Sequence, residues 1–106
     1  MSQPQFQARK RVNEKVPCTL DLTNYLPEGE TIQNTSTVSA TNAEGEDVTE
    51  DLIYATSING FLFTTIFKAG TTEGEEVIAG AGEYSVLFAI ITQNYSFEVP
   101  VKLIVE

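Results

Sequence analysis

Histidine and tryptophan do not occur in this chain of 106 residues, and cysteine and methionine occur once each. Without histidine the chain lacks the commonest general base and the commonest zinc-binding side chain near neutral pH, which excludes most familiar hydrolytic sites. The lone Cys18 rules out an intramolecular disulfide and reads as a small apolar residue at the start of a strand. No apolar run of about 18 residues is present, so no membrane-spanning helix is expected. The opening MSQPQFQARKRVNEK lacks the apolar core of a secretory signal, so the chain is expected to stay in the cytoplasm where it is made. Cations are scarce too. Six Lys and Arg against fifteen Asp and Glu leave a net charge of -9, the reverse of what a nucleic-acid surface recruits.

What charge there is falls unevenly. Residues 1–15 hold Arg9, Lys10, Arg11 and Lys15 against Glu14, a net +3, while residues 16–106 hold two lysines against fourteen acids, a net -12. This divides the chain into a basic N-terminal arm, 1–14, and an acidic body, 15–106, of a length and 42% hydrophobic content sufficient for one domain with its own core. The arm reads either as a solvated, disordered terminus or as a segment that orders on an acidic surface, including another copy of the body.

No helical period is visible; apolar residues recur at every second position, as in half-buried strands. Val16–Thr23 alternates Val16, Cys18, Leu20 and Leu22 against Pro17, Thr19, Asp21 and Thr23, with Pro17 indicating a sheet edge. Asn24–Glu30 is a turn, Thr31–Thr41 a second strand, and Asn42–Asp51 an acidic loop centred on Gly45. Asn59-Gly60 predicts a hairpin joining Leu52–Ile58 to Phe61–Lys68, with Leu52, Tyr54, Thr56, Ile58, Phe61, Phe63, Thr65 and Phe67 on one inward face. Ala69–Gly74 reads as a turn and Glu75–Ala79 as a short edge strand.

The last quarter is the most specific. A tight turn at Gln93-Asn94 sets Thr92 opposite Tyr95, Ile90 opposite Phe97, Phe88 opposite Val99, Val86 opposite Val101 and Tyr84 opposite Leu103, all on one face. The other face, expected to be wet, still carries Leu87, Ala89, Ile91, Pro100 and Ile104 beside Glu83, Ser85, Ser96, Glu98 and Lys102. A sheet apolar on its second face has something lying on it, either a segment of its own chain or a partner. Pro100, which lacks an N–H, marks the last strand as an edge at that point. Six or seven strands at this spacing indicate an all-β, immunoglobulin-like antiparallel sandwich with an extended N-terminal arm.

Chemistry is thin. The acidic loop (Glu44, Glu46, Asp47, Glu50, Asp51) lacks the alternating spacing of a calcium loop, and Glu73, Glu75 and Glu76 add no ligand pattern. No two carboxylates are marked as facing a cleft. Tyr54, Tyr84 and Tyr95 fall on the inward face by register and are expected in the core rather than on a sugar-binding surface. The residues therefore give no catalytic, cofactor or metal site and no small-molecule substrate.

The order of signals is nevertheless distinctive: LDLTNYL (Leu20–Leu26), PEGETI (Pro27–Ile32), a strand at Val38, AGAGEYSV (Ala79–Val86), a strand ending at Thr92, and VPVKLIVE (Val99–Glu106). In this order the chain resembles the small immunoglobulin-like structural proteins of tailed bacteriophages, most nearly the fibre-tail adaptor family, over residues 16–106. That resemblance implies a non-enzymatic virion component of the tail or neck, present in several copies, assembled in the host cytoplasm, and linking the tail to fibre proteins. The expected contacts are then apolar through Leu87, Ala89, Ile91, Pro100 and Ile104 and electrostatic through Arg9, Lys10 and Arg11. A head decoration protein and a bacterial immunoglobulin-like adhesion module are the alternatives, since both use such sandwiches.

Overall fold

The structure, a computed structural model, describes residues 6–68, 71–73, 76–78 and 80–106. These form β1 (Phe6–Lys10), β2 (Val16–Asp21), β3 (Thr37–Asn42), α1 (Thr49–Leu52), β4 (Ile53–Asn59), β5 (Leu62–Phe67), β6 (Thr71–Glu73), β7 (Glu76–Ile78), β8 (Gly82–Ile91) and β9 (Ser96–Val105). The fold is all-β, with two main sheets, ordered β1-β9-β8-β3 and β2-β5-β4, and a small β6-β7 hairpin. Residues 1–5, and Ala69, Gly70, Gly74, Glu75 and Ala79 of the turn and edge strand expected after β5, lie outside the described residues.

The closing hairpin has the expected register: Ile90 pairs with Phe97, Phe88 with Val99, Val86 with Val101 and Tyr84 with Leu103, and the Thr92 N–H donates to the Tyr95 carbonyl at 2.8 Å. Val86, Phe88, Ile90, Val99, Val101 and Leu103 are all buried. They meet Leu20, Phe63 and Phe67 of the second sheet in one apolar cluster. Across the gap Phe63 and Phe88 stand edge to face, ring centroids 5.1 Å apart at 84°, a geometry favoured by the ring quadrupoles. β2 alternates as its sequence dictates, with Leu20 buried and Pro17 and Thr19 exposed, and it lies at a sheet edge.

Several expectations need correction. The basic arm is not free of the body from Phe6 onward: β1 runs parallel to β9, Phe6 beside Val101 through Lys10 beside Val105. Hydrogen bonds from Glu106 N–H to Lys10 and from Val12 N–H to Glu106, at 2.8 and 3.0 Å, extend the ladder. Ala8 and Val12 pack against the core, whereas Arg9 and Arg11 are not buried. For the same reason β9 is no edge from Val101 onward.

The β4–β5 turn is also displaced. Asn59 pairs with Leu62 and Ile58 with Phe63, so Gly60 and Phe61 form the loop, and Gly60 takes the positive φ (63°) that a primed turn requires at its first central position. Phe61 consequently sits exposed at the tip.

Tyr54 lies at a register shift between Ile53 and Ala55; this bulge turns it out of the core, 57% exposed. Its ring instead receives the Lys15 ammonium, 3.3 Å from the centroid. Tyr95, at the rim beyond the last cross-strand pair, is likewise exposed, and Tyr84 alone of the three tyrosines packs against the core. Finally, Leu52 is buried from α1 rather than from a strand, and the strand expected over Thr31–Thr41 begins at Thr37.

The segment before β3 fastens the closing turn. Glu30 is buried, and its carboxylate accepts from the Thr92 hydroxyl at 2.9 Å, the Asn94 N–H at 2.8 Å and the Asn94 side-chain amide at 3.1 Å. Gln93 accepts from the Thr31 N–H at 2.8 Å and donates to its hydroxyl at 2.9 Å. The Ser36 hydroxyl accepts from the Ile91 N–H at 2.8 Å.

Two outcomes are expected in unfolding experiments. Deleting residues 1–14 removes β1 and the cover over β9, and is expected to cost about 2 kcal/mol, a fall in thermal midpoint of roughly 10 °C; an unchanged midpoint would contradict the role given to β1. Glu30→Ala strands the Asn94 N–H and the Thr92 hydroxyl and is expected to lower stability by about 1–3 kcal/mol in urea, with faster hydrogen exchange at the Asn94 amide.

Candidate interaction surface

Alternation along β8 and β9 puts the residues between the core positions on the outer face of the four-stranded sheet, and the register arranges them in rows. Ser39, Leu87 and Pro100 make one row; Thr37, Ala89 and Glu98 the next; Ile91 stands opposite Ser96 at the end. Leu87 and Ala89 are half-buried, while Ile91 and Pro100 are exposed. Leu87, Ala89, Ile91 and Pro100 thus form a short apolar run along the sheet centre, flanked by hydroxyls and a carboxylate. Ile104, half-buried, is separate from it: the polar row Thr41, Ser85, Lys102 and Gln7 intervenes, and Ile104 sits between Glu83 and Arg9.

The three cations expected to act together are dispersed. Arg9 faces out and ion-pairs with Glu106. Lys10 is 4% exposed, its ammonium donating to the carbonyls of Arg11 at 2.7 Å and Val12 at 3.3 Å. Burial lowers the Lys10 pKa, with Glu14 opposing the shift. Arg11 is exposed, its N–H donating to Glu14 at 2.7 Å. Lys10 is therefore a structural residue, and Arg9 alone of the three adjoins the outer sheet face.

Beside the apolar run lies an open groove of about 770 Å³ lined by Gln7, Asn42, Glu83, Ser85, Pro100 and Lys102. The Lys102 ammonium and Glu83 carboxylate meet at 3.0 Å on its wall, a solvated pair worth little to stability. Gln7 and Asn42 were missed by sequence reasoning. Gln7 belongs to the groove through β1, and an alternation of Ala8, Lys10 and Val12 was the one signal for that strand.

The acidic loop turns its polar groups inward on itself. The Asn42 side-chain carbonyl accepts from the N–H groups of Glu44 and Glu46, both at 3.0 Å. Asp47 accepts from the Thr49 N–H at 2.9 Å and from its hydroxyl at 2.6 Å, and these bonds hold its pKa below the usual carboxylate range. The Asn42 side-chain amide lowers that of Glu46 in the same way. Among the described residues no group of three or more His, Cys, Asp or Glu is placed to hold a metal ion. Burial pushes the Cys18 thiol up, away from the thiolate form a nucleophile needs.

What this surface can do chemically is present a firm, mixed apolar and polar face on a twisted sheet. Leu87→Lys is expected to leave the thermal midpoint within about 3 °C of the parent, because the side chain stands off the core. A grossly unfolded variant in circular dichroism would place Leu87 inside the chain's own packing.

Compared with family models and with curated proteins, the chain matches none.

Proposed function

We infer that this chain is a non-enzymatic structural component of a tailed-phage virion, an adaptor in the tail or neck that joins the tail to fibre proteins. The observation that carries this reading is the outer face of β8, where Leu87, Ala89 and Ile91 stand beside Pro100 although strand alternation would allow polar residues at each position. A face of this kind binds protein: it offers apolar contact at its centre and hydrogen-bonding groups at its margins.

The strand order supports the immunoglobulin-like aspect of the reading. In chain order, β2, β5 and β4 pair as the second, fifth and fourth strands of such a sandwich do, and β3, β8 and β9 pair as its third, sixth and seventh. β1 would be the first strand moved to the opposite sheet beside β9, and β6-β7 an inserted hairpin between the fifth and sixth strands. The resemblance in LDLTNYL, AGAGEYSV and VPVKLIVE directs the reading from the fold to phage tails. Recognition would run through Leu87, Ala89, Ile91 and Pro100, with Arg9 and Ile104 at the margin.

Particles assembled without this chain are expected to show complete heads and tails but no fibres in electron micrographs. Fibres present on such particles, or heads lost from them, would overturn the adaptor role.

A further inference from the structure

The chain has six asparagines, and one of them, Asn59, is followed by glycine. An asparagine side chain can be attacked by its own backbone: the nitrogen of the next residue adds to the side-chain carbonyl carbon, and a next residue without Cβ leaves that approach unhindered. After the other five asparagines come Glu14, Tyr25, Thr35, Ala43 and Tyr95, each with a Cβ in the way. Two of the five are also engaged. The Asn42 side chain bonds within its loop, and that of Asn94 bonds to Glu30.

Asn59 ends β4 and Gly60 opens the two-residue loop, and both are exposed. Among the described residues neither the Asn59 side-chain amide nor the Gly60 N–H makes a hydrogen bond. Apart from chain neighbours, no atom lies within 4 Å of the place a Gly60 Cβ would take. Ring closure has to turn the Asn59-Gly60 peptide, which disturbs the last rung of the hairpin, Asn59 beside the exposed Leu62. Ladder ends are where local opening costs least. The carbonyls of the same loop are committed: Gly60 accepts from the Ile32 N–H and Phe61 from the Leu22 N–H, each at 2.9 Å. Leu22 and Ile32 belong to the core, so this loop fastens the β4–β5 hairpin to the rest of the sandwich.

We propose that Asn59 is a self-modification site, converting in the folded chain through a cyclic imide to isoaspartate and aspartate. The Gly60 nitrogen gives its proton to water and bonds to Asn59 Cγ; the bond from Cγ to Nδ2 breaks, and ammonia leaves with that proton. Water then opens the ring without any change of oxidation state. Opening between Cγ and the Gly60 nitrogen gives aspartate on the ordinary main chain. Opening between the Asn59 carbonyl carbon and the same nitrogen gives isoaspartate, whose main chain runs through Cγ and is one methylene longer. Either product adds a carboxylate to a body that is already acidic. Only isoaspartate lengthens a turn whose two loop residues are both tied to core N–H groups, so it loosens the fastening at Leu22 and Ile32. The site rests on no virion partner, and it lies apart from the outer face of β8.

The test is to hold the purified full chain for days at neutral pH and physiological temperature, folded and in urea, and to follow it by peptide mass spectrometry. In the folded chain Asn59 is expected to convert at least about tenfold faster than any other asparagine, with isoaspartate among the products. Asn59→Gln, whose ring would be one atom larger, is expected to stay intact. The isoaspartyl chain, separated by ion exchange, is expected to unfold roughly 5 °C below the parent. Asn59→Asp, with the same charge on an unaltered main chain, is expected to stay within about 3 °C of it. Conversion confined to the urea sample, conversion no faster than at another asparagine, or aspartate formed without isoaspartate overturns the proposal. An isoaspartyl chain as stable as the parent overturns the loosening assigned to the longer turn.

Discussion

The turn from Thr92 to Tyr95 is the constraint on which the rest of the molecule depends. Side chains alternate with a period of two, so a slip of one residue in either closing strand would turn Val86, Phe88 and Ile90 outward and draw Leu87, Ala89 and Ile91 into the core. The turn is held from outside as well as from within. Glu30 and Thr31, which precede β3, bind Thr92, Gln93 and Asn94 through side chains and backbone. Burial of the Glu30 carboxyl is tolerable here because three donors converge on it. One cluster of contacts thus fixes the register of β8 on β9 and the point where the chain enters β3.

Much of this was legible in the amino-acid order, and the failures have physical causes. The β8–β9 register could be read because even-numbered apolar residues on one strand meet odd-numbered ones on the other about a defined turn. β2 was readable for a similar reason, its alternation being unbroken from Val16 to Leu22. β1 was hidden because an inward position is held by Lys10, whose aliphatic stem is buried while its ammonium is satisfied by two carbonyls. Tyr54 was misplaced because a bulge changes the parity of everything beyond it, and a bulge leaves no mark in composition. Phe61 was misplaced because Gly60 serves as the first rather than the second residue of its turn. At the candidate surface, Leu87, Ala89, Ile91 and Pro100 followed from register alone. The separation of Ile104 from them, and the dispersal of Arg9, Lys10 and Arg11, depended on the hidden first strand.

The two main sheets divide their tasks. The four-stranded sheet is backed by the core and presents a patterned outer face with a groove beside it. The three-stranded sheet ends in β4, which sends Ile53 and Ile58 to the core and leaves Tyr54 to Ser57 exposed. The acidic loop covers β3 through backbone hydrogen bonds and the Thr49 hydroxyl, while its Asn42 and Asp47 side chains bond within the loop.

The parallel pairing of β1 with β9 has a mechanical consequence. These strands come from opposite ends of the described chain and point the same way, with Phe6 beside Val101 and Lys10 beside Val105. Tension applied before Phe6 and after Val105 therefore pulls the two strands past each other along their common axis. Every rung of the ladder then bears load at once, whereas an antiparallel pair pulled from its open end would unzip rung by rung. The first strand, easily mistaken for a loose tail, is positioned to act as a shear clamp on the whole domain.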